Sequence, residues 1–455
     1  MSEGALHRLI ITFDQAFSEL GSKVSASKLE ELAVFIHKAM TVQARHYHTL
    51  EHVFTFIEPG NPIQTLAGLF HDIVYYQVDL GFLPAIHRII APFISQRGQE
   101  FTIALDAPDD PQFNLVLEAF GYQRGDSVSV TTGLNEFLSA VVMNDRLGDL
   151  VAQKDLLLMD LCIEATIPFR GPANNGQSCF QALEERLRSI NRRLSFGMRD
   201  QEVRDAIRLA LRVANKDVSG FAEQDAAVFL SNTWRLLPEM NVPLRAGNVY
   251  TIREYREALQ NMDAFFSQLD PQRVFHQYSG EPAQREFELM VERARRNIEI
   301  AQRYLRVKLL AQALLEALAM ESGGDAPLSL FMGDTTAEAD AHRLEKHLPA
   351  MDNPSWAEPN SELYHLLATG RTDNPGFDLN TSPLSLFIYK SLSPGEFNRA
   401  FDAAQEMFAC RISPAAFLQQ LNPQIVSAVA RASAAMATTR SQALQKYSRL
   451  SGSAK

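Results

Sequence analysis

The chain has 455 residues, 46% hydrophobic and 21% charged, which is enough length for one to three domains with sizeable cores. Lys+Arg number 43 against 54 Asp+Glu, so the net charge of −11 argues against general binding to nucleic acid or to anionic membrane surfaces. It does not argue against a nucleotide substrate, because a metal site brings its own positive charge.

The three cysteines, Cys162, Cys179 and Cys410, are odd in number and widely spaced, which favours a reducing compartment without a disulfide framework. The N-terminus lacks a basic stretch followed by an apolar run, and no uncharged apolar segment reaches about 18 residues. The expected location is cytoplasmic, with no membrane span.

Two amphipathic helices open the chain. Leu6, Leu9, Ile10, Phe13, Phe17 and Leu20 form one apolar stripe, and Leu29, Leu32, Ile36 and Met40 form the next. Four of the 11 histidines then fall within residues 45–72, in Arg-His-Tyr-His-Thr-Leu-Glu-His and Phe-His-Asp. Imidazole and carboxylate together are the donors from which hydrolytic divalent-metal sites are built.

His48 and His52 are four apart, so a helix would stack them on one face with Arg45 on the same stripe. Pro59-Gly60-Asn61-Pro62 is strong turn chemistry, and Leu66–Phe70 is an apolar segment that would carry His71 and Asp72 back against the first helix. Three ligands, His52, His71 and Asp72, then face one another across an antiparallel helix pair. The bland alternative is a histidine-rich helix pair whose imidazoles are satisfied by hydrogen bonds.

These residues resemble a family. His52…His71-Asp72 looks like the first three ligands of the HD-domain metal-dependent phosphohydrolases, and Tyr47-His48-x-x-x-His52 is similar to a segment of the cyclic nucleotide phosphodiesterases. Thr49 stands where those enzymes carry Asn. Phe70-His71-Asp72-Ile73-Val74-Tyr75 also resembles a signature of small bacterial HD proteins. The likeness is clear over about 30 residues and diffuse elsewhere.

The resemblance implies that His52 binds metal and His48 is the general acid. It also implies one further Asp ligand from a later helix. Asp217, in Ala-Asn-Lys-Asp-Val-Ser, is similar to the phosphodiesterase segment carrying the last metal Asp. Asp160 is the alternative, a carboxylate in an apolar run that is costly unless paired or coordinated. Asp217 is preferred; pairing with Arg170 or Arg186 would be the ordinary explanation of Asp160.

The implied chemistry is hydrolysis by metal-activated water, with one or two ions of Mn, Fe, Zn, Ni or Mg. His48 would protonate the leaving alkoxide. Arg45 is expected on a phosphate or, alternatively, paired with Glu51 or another local carboxylate, and Arg170 on a phosphate if its loop lines the cleft rather than the surface.

Farther on, residues 97–131 read as irregular, with a short strand at Thr102–Leu105 and turns at Ala107–Pro111 and Gln123–Val130. Asn144-Asp145-Arg146 closes an apolar helix over Phe137–Met143. Gly171–Ser178 is a loop, and helices resume at about 178–194, 199–216 and 222–236. Asp-Pro and Gly-Glu-Pro punctuation at 270–285 marks the expected boundary, giving an HD-type domain over 1–275 and a helical C-terminal domain over 276–455.

Phe287, Val291, Ala294, Ile298, Ala301 and Leu305 form a heptad-like seam in a helix of about 283–321. It is read as core packing, with homodimerisation second. Residues 322–383 read as loops, with Asp334, Asp340, His342 and His347 scattered and solvated; 383–445 read as helices.

The fold expected is therefore all-α, an HD-like bundle with an added helical domain. The function expected is phosphodiester or phosphomonoester hydrolysis, most plausibly of a nucleotide or cyclic nucleotide. A non-catalytic signalling or scaffold protein with a degenerate HD core is the competing class. A guanosine-tetraphosphate hydrolase is weaker, because it gives no reason for Tyr47-His48-x-x-x-His52.

Overall fold

The computed structural model describes residues 4–449 apart from 99, 173–175, 247, 248, 334–341, 357, 360, 374 and 375. Helix takes 67% of the chain and strand 4%, so the all-α class holds. Two compact units are formed: Met1–Ala222 with Asp270–Glu292, and Glu223–Leu269 with Arg293–Lys455.

In the first unit, α1 (Ala5–Glu19) packs on α2 (Ala26–Met40), burying Leu9, Phe13 and Phe17 against Leu32 and Ile36. The segment 41–49 is non-helical and leads to α3 (Leu50–Phe54) and then α4 (Pro62–Phe70). Asn61 caps α4 by accepting from the Gln64 amide, with Pro62 at the first helical position, as the turn chemistry requires. Gly68 is needed where α4 meets the segment after α3: a Cβ there would lie 2.1 Å from the Phe56 Cβ.

Short helices α5 (Tyr76–Asp79) and α6 (Pro84–Ile90) follow. Then β1 (Ile94–Arg97), β2 (Glu100–Ile103) and, after α7 (Pro111–Phe120), β3 (Ser127–Val128) make a three-stranded antiparallel sheet in the order β1-β2-β3. Sequence reasoning anticipates only part of this sheet, around Thr102, and misses α7, although Asp110 caps it and Pro111 opens it.

Then come α8 (Leu134–Leu147), α9 (Gln153–Ala165), α10 (Cys179–Leu194) and α11 (Asp200–Asp217). Helix α9 is buried on almost every side and packs against α4, α7, α8 and α11, the pattern of a central core helix.

The second unit contains α12 (Ala226–Trp234), α13 (Leu236–Met240) and α14 (Ile252–Gln268). It also holds most of α15 (Gln284–Gly323), then α16 (Leu328–Met332), α17 (Glu362–Thr369), α18 (Pro383–Ser391), α19 (Pro394–Phe408), α20 (Pro414–Gln420), α21 (Pro423–Met436) and α22 (Ser441–Ser448). Trp234 Nε1 and Tyr255 Oη donate to one oxygen of Asp378, at 2.9 and 2.8 Å, and Arg256 pairs with Glu316.

Those bonds tie residues 223–269 to the C-terminal helices. The segment after 270 belongs elsewhere: Asn215 and His276 exchange two 2.9 Å hydrogen bonds, and Tyr278 donates to Glu184. The division therefore crosses the chain at 222, 269 and 292, unlike the single cut expected at 275.

Val291, Ala294, Ile298, Ala301 and Leu305 of the heptad-like seam are buried within the single chain. The loop-rich reading of 322–383 is interrupted by α16 and α17. Asp334 and Asp340 lie outside the described residues. Among the described residues no helix is long and apolar enough to cross a membrane.

Candidate metal centre

Four side chains from three places in the first unit converge. His52 comes from α3, His71 from the C-cap of α4 with Asp72 directly after it, and Asp217 from the last residue of α11. His52 Nε2 lies 3.3 Å from His71 Nε2, 3.1 Å from Asp217 Oδ1 and 3.4 Å from Asp72 Oδ2. His71 Nε2 is 3.0 Å from Asp72 Oδ2 and 3.4 Å from Asp217 Oδ1.

The backbone decides which face of His71 points inward. Its Nδ1 is 2.8 Å from the Gly68 carbonyl, an acceptor, so Nδ1 carries the proton and a neutral ring turns the Nε2 lone pair into the cluster. That lone pair faces another imidazole and two carboxylate oxygens. Asp72 Oδ2 is buried, and its near neighbours are the Nε2 atoms of His71 and His52.

Four acceptors in one place are stable only with protons or a cation between them. With protons, the acids and bases separate widely. Burial works against His52, but Asp217 and Asp72 overcome it and push the imidazole up to about 9. His71 is raised well above the ordinary histidine range in the same way, against burial and chiefly by the charge of Asp72.

Burial also opposes ionisation of both acids, and the histidines win. Asp217 is lowered to about 2, and Asp72 falls well below the usual carboxylate range through His71 and His48. A divalent cation would replace the two imidazolium protons at constant net charge.

The donor set fits such an ion. Ligands about 2.0–2.2 Å from a metal lie about 3.3–3.6 Å apart at tetrahedral corners and about 2.8–3.1 Å at adjacent octahedral ones, which brackets the separations above. Two nitrogens and two carboxylate oxygens suit the transition metals expected from the sequence.

His48 is beside this group by a different route from the one expected. It precedes α3 and is not helical, so the one-turn stacking on His52 does not occur. Its ring is stacked on Tyr75, centroids 4.1 Å apart, and stands 5.9 Å from the His52 ring in an edge-on arrangement.

Both arginines considered for a phosphate pair with carboxylates of the protein. Arg45 is buried, with both carboxylate oxygens of Asp79 at 2.9 and 2.7 Å, and it donates to the carbonyls of Asp72 at 2.7 Å and Ile73 at 3.3 Å. Its fork is spent on fixing the backbone that presents Asp72. Arg170 is held bidentately by Glu164, at 2.7 and 3.1 Å, and Arg186 shares that carboxylate.

Asp160 takes no part. It accepts from the Asn144 side-chain amide at 3.0 Å, and burial pushes its carboxyl well above the usual range. The expected arginine partners of Asp160 are those of Glu164, and its bond comes from Asn144 instead.

Sequence reasoning passes over the start of α8. Asn135 Oδ1 accepts from the Tyr76 amide and Ser139 Oγ from the Val74 amide, both at 3.1 Å, so this helix face clamps the chain just after Asp72. Glu136 directly follows Asn135 in this helix. Its visible signal is an acidic residue opening an otherwise apolar helix, Leu-Asn-Glu-Phe-Leu-Ser-Ala-Val-Val-Met.

No family model, no curated protein and no solved structure matches this chain.

Proposed function

We propose that the first unit is a metal-dependent phosphohydrolase with an HD-like centre, acting on a phosphodiester or phosphomonoester of a nucleotide or cyclic nucleotide. The observation that carries this reading is the convergence of His52, His71, Asp72 and Asp217, with each imidazole nitrogen 3.0–3.4 Å from the other and from a carboxylate oxygen of both aspartates.

A divalent cation held by these four would bring bound water towards ionisation at neutral pH and polarise a phosphoryl oxygen. The protein's own part is positional. Gly68 and Arg45 set the ring of His71 and the backbone of Asp72. Tyr75 holds the His48 ring flat against its own, leaving that imidazole to pass a proton to the alkoxide as the phosphorus–oxygen ester bond breaks and the water oxygen bonds to phosphorus.

The test is elemental analysis of the wild type and of a His71→Ala/Asp72→Ala variant, with bis-p-nitrophenyl phosphate hydrolysis in added Mn. Near-stoichiometric metal and turnover, both lost in the variant, are expected. A chain without metal in either form would overturn the reading and favour a helical scaffold protein.

A further inference from the structure

One carboxyl in the first unit has no task in the reading above. Glu136 Oε2 is buried and lacks a hydrogen-bond partner among the described residues. An unpaired buried carboxylate oxygen is costly, of order 1–3 kcal/mol or more, so its retention calls for a partner that arrives with function.

Its surroundings say where that partner is. Its immediate neighbour in α8, Asn135, and Ser139 one turn on hold the amides of Tyr76 and Val74, two to four residues beyond Asp72. The charged groups that act on Glu136 are Asp72, Asp217 and Arg170, and Tyr122 senses its charge in turn. Arg170 is already committed to Glu164. Glu136 therefore approaches the four-ligand cluster from the α8 side, without belonging to it: it is not among the residues whose donor atoms lie within 4.8 Å of one another.

We infer that Glu136 is a further catalytic residue of this centre, hydrogen-bonding the attacking water and taking its proton. This rests on the phosphohydrolase reading and adds the base to it. The water oxygen bonds to phosphorus while its proton passes to the Glu136 carboxylate. The ester oxygen departs with the proton from His48, and transfer of a proton from Glu136 to His48 through solvent restores both groups.

The electrostatics couple this role to loading of the centre. Burial first, then the negative charges of Asp72 and Asp217, push the Glu136 carboxyl up to about 8, against an opposing pull from its own backbone amide and Arg170. Positive charge placed among Asp72 and Asp217 removes that repulsion and returns Glu136 towards its ionised, proton-accepting form.

The experiment uses the full chain and Glu136→Gln, with Mn as the probe. Calorimetric titration near pH 7 in buffers of different ionisation enthalpy counts protons released per Mn bound. Glu136→Gln should bind Mn with the wild-type stoichiometry while releasing up to about one proton fewer. Its kcat on bis-p-nitrophenyl phosphate should fall at least about 100-fold, with partial recovery in Glu136→Asp.

That ester's leaving group departs as a stabilised anion, so it reports on the water side of the reaction rather than on His48. Wild-type proton release or wild-type turnover in Glu136→Gln would overturn the assignment. Absence of turnover in the wild type itself would instead refute the parent reading.

Discussion

Replacing Asp217 by Asn keeps the shape of the side chain and removes one of the two negative charges facing His52 and His71. In the metal-free protein those charges hold His52 at about 9 against an ordinary 6.5, a displacement equivalent to about 3 kcal/mol. If Asp72 and Asp217 share it about equally, the variant loses roughly 1–2 kcal/mol.

The pH window follows from the sign. A histidine whose folded pKa is raised contributes stability that is fully present below about 6.5 and is lost as pH climbs through about 9. The depressed Asp217 describes the same interaction from the acid side: its contribution is present above about 3.8 and fades as pH falls through about 2.

Thermal unfolding in chelator should therefore show the variant melting about 3–8 °C below the wild type at pH 6, with the gap closing above pH 9. Saturating Mn should widen the gap at pH 8 beyond its chelated value, because the ion stabilises only the form that binds it tightly. Equal melting at pH 6 without metal, or a chelated gap that widens with pH, would refute the account of the cluster.

Three further outcomes follow. Asp160→Asn should leave metal content and turnover within about twofold of wild type, since burial pushes that carboxyl well above the usual range and its oxygen is bonded to Asn144, away from the cluster; loss of bound metal by elemental analysis would reassign the fourth ligand. Arg45→Met should cost about 3–5 kcal/mol of unfolding free energy in denaturant titration and lower Mn occupancy, because Asp79 and two carbonyls lose a buried donor. A rise in KM with unchanged stability would show instead that Arg45 meets substrate. His48→Ala should keep its metal and hydrolyse an aryl phosphodiester near the wild-type rate while losing about 10²–10⁴-fold on an alkyl one. Equal losses on both would remove it as the proton donor.

Local order reads well from the residues. The apolar stripes of α1 and α2 and the Asn61-Pro62 entry to α4 are written in spacing and caps, which act within a few positions. His71-Asp72 is an adjacent pair, so its presence in one site needs no folding argument. The choice of Asp217 over Asp160 needed a resemblance. What separates them is that α11 ends at the cluster, while Asp160 sits on the core helix α9 against Asn144.

Tertiary structure alone decided the rest. Whether an arginine meets substrate depends on which carboxylate reaches it first, and Arg45 finds Asp79 while Arg170 finds Glu164. His48 is placed by stacking on Tyr75, 27 positions away, rather than by a helical turn. The unpaired oxygen of Glu136 becomes meaningful only because α8 packs beside Asp72, since the cost of an unmet hydrogen bond depends on burial. The sequence by itself determined a helical protein and pointed to the histidines and aspartates that converge in it. Folding determined which charges are spent on one another and which are left facing the centre.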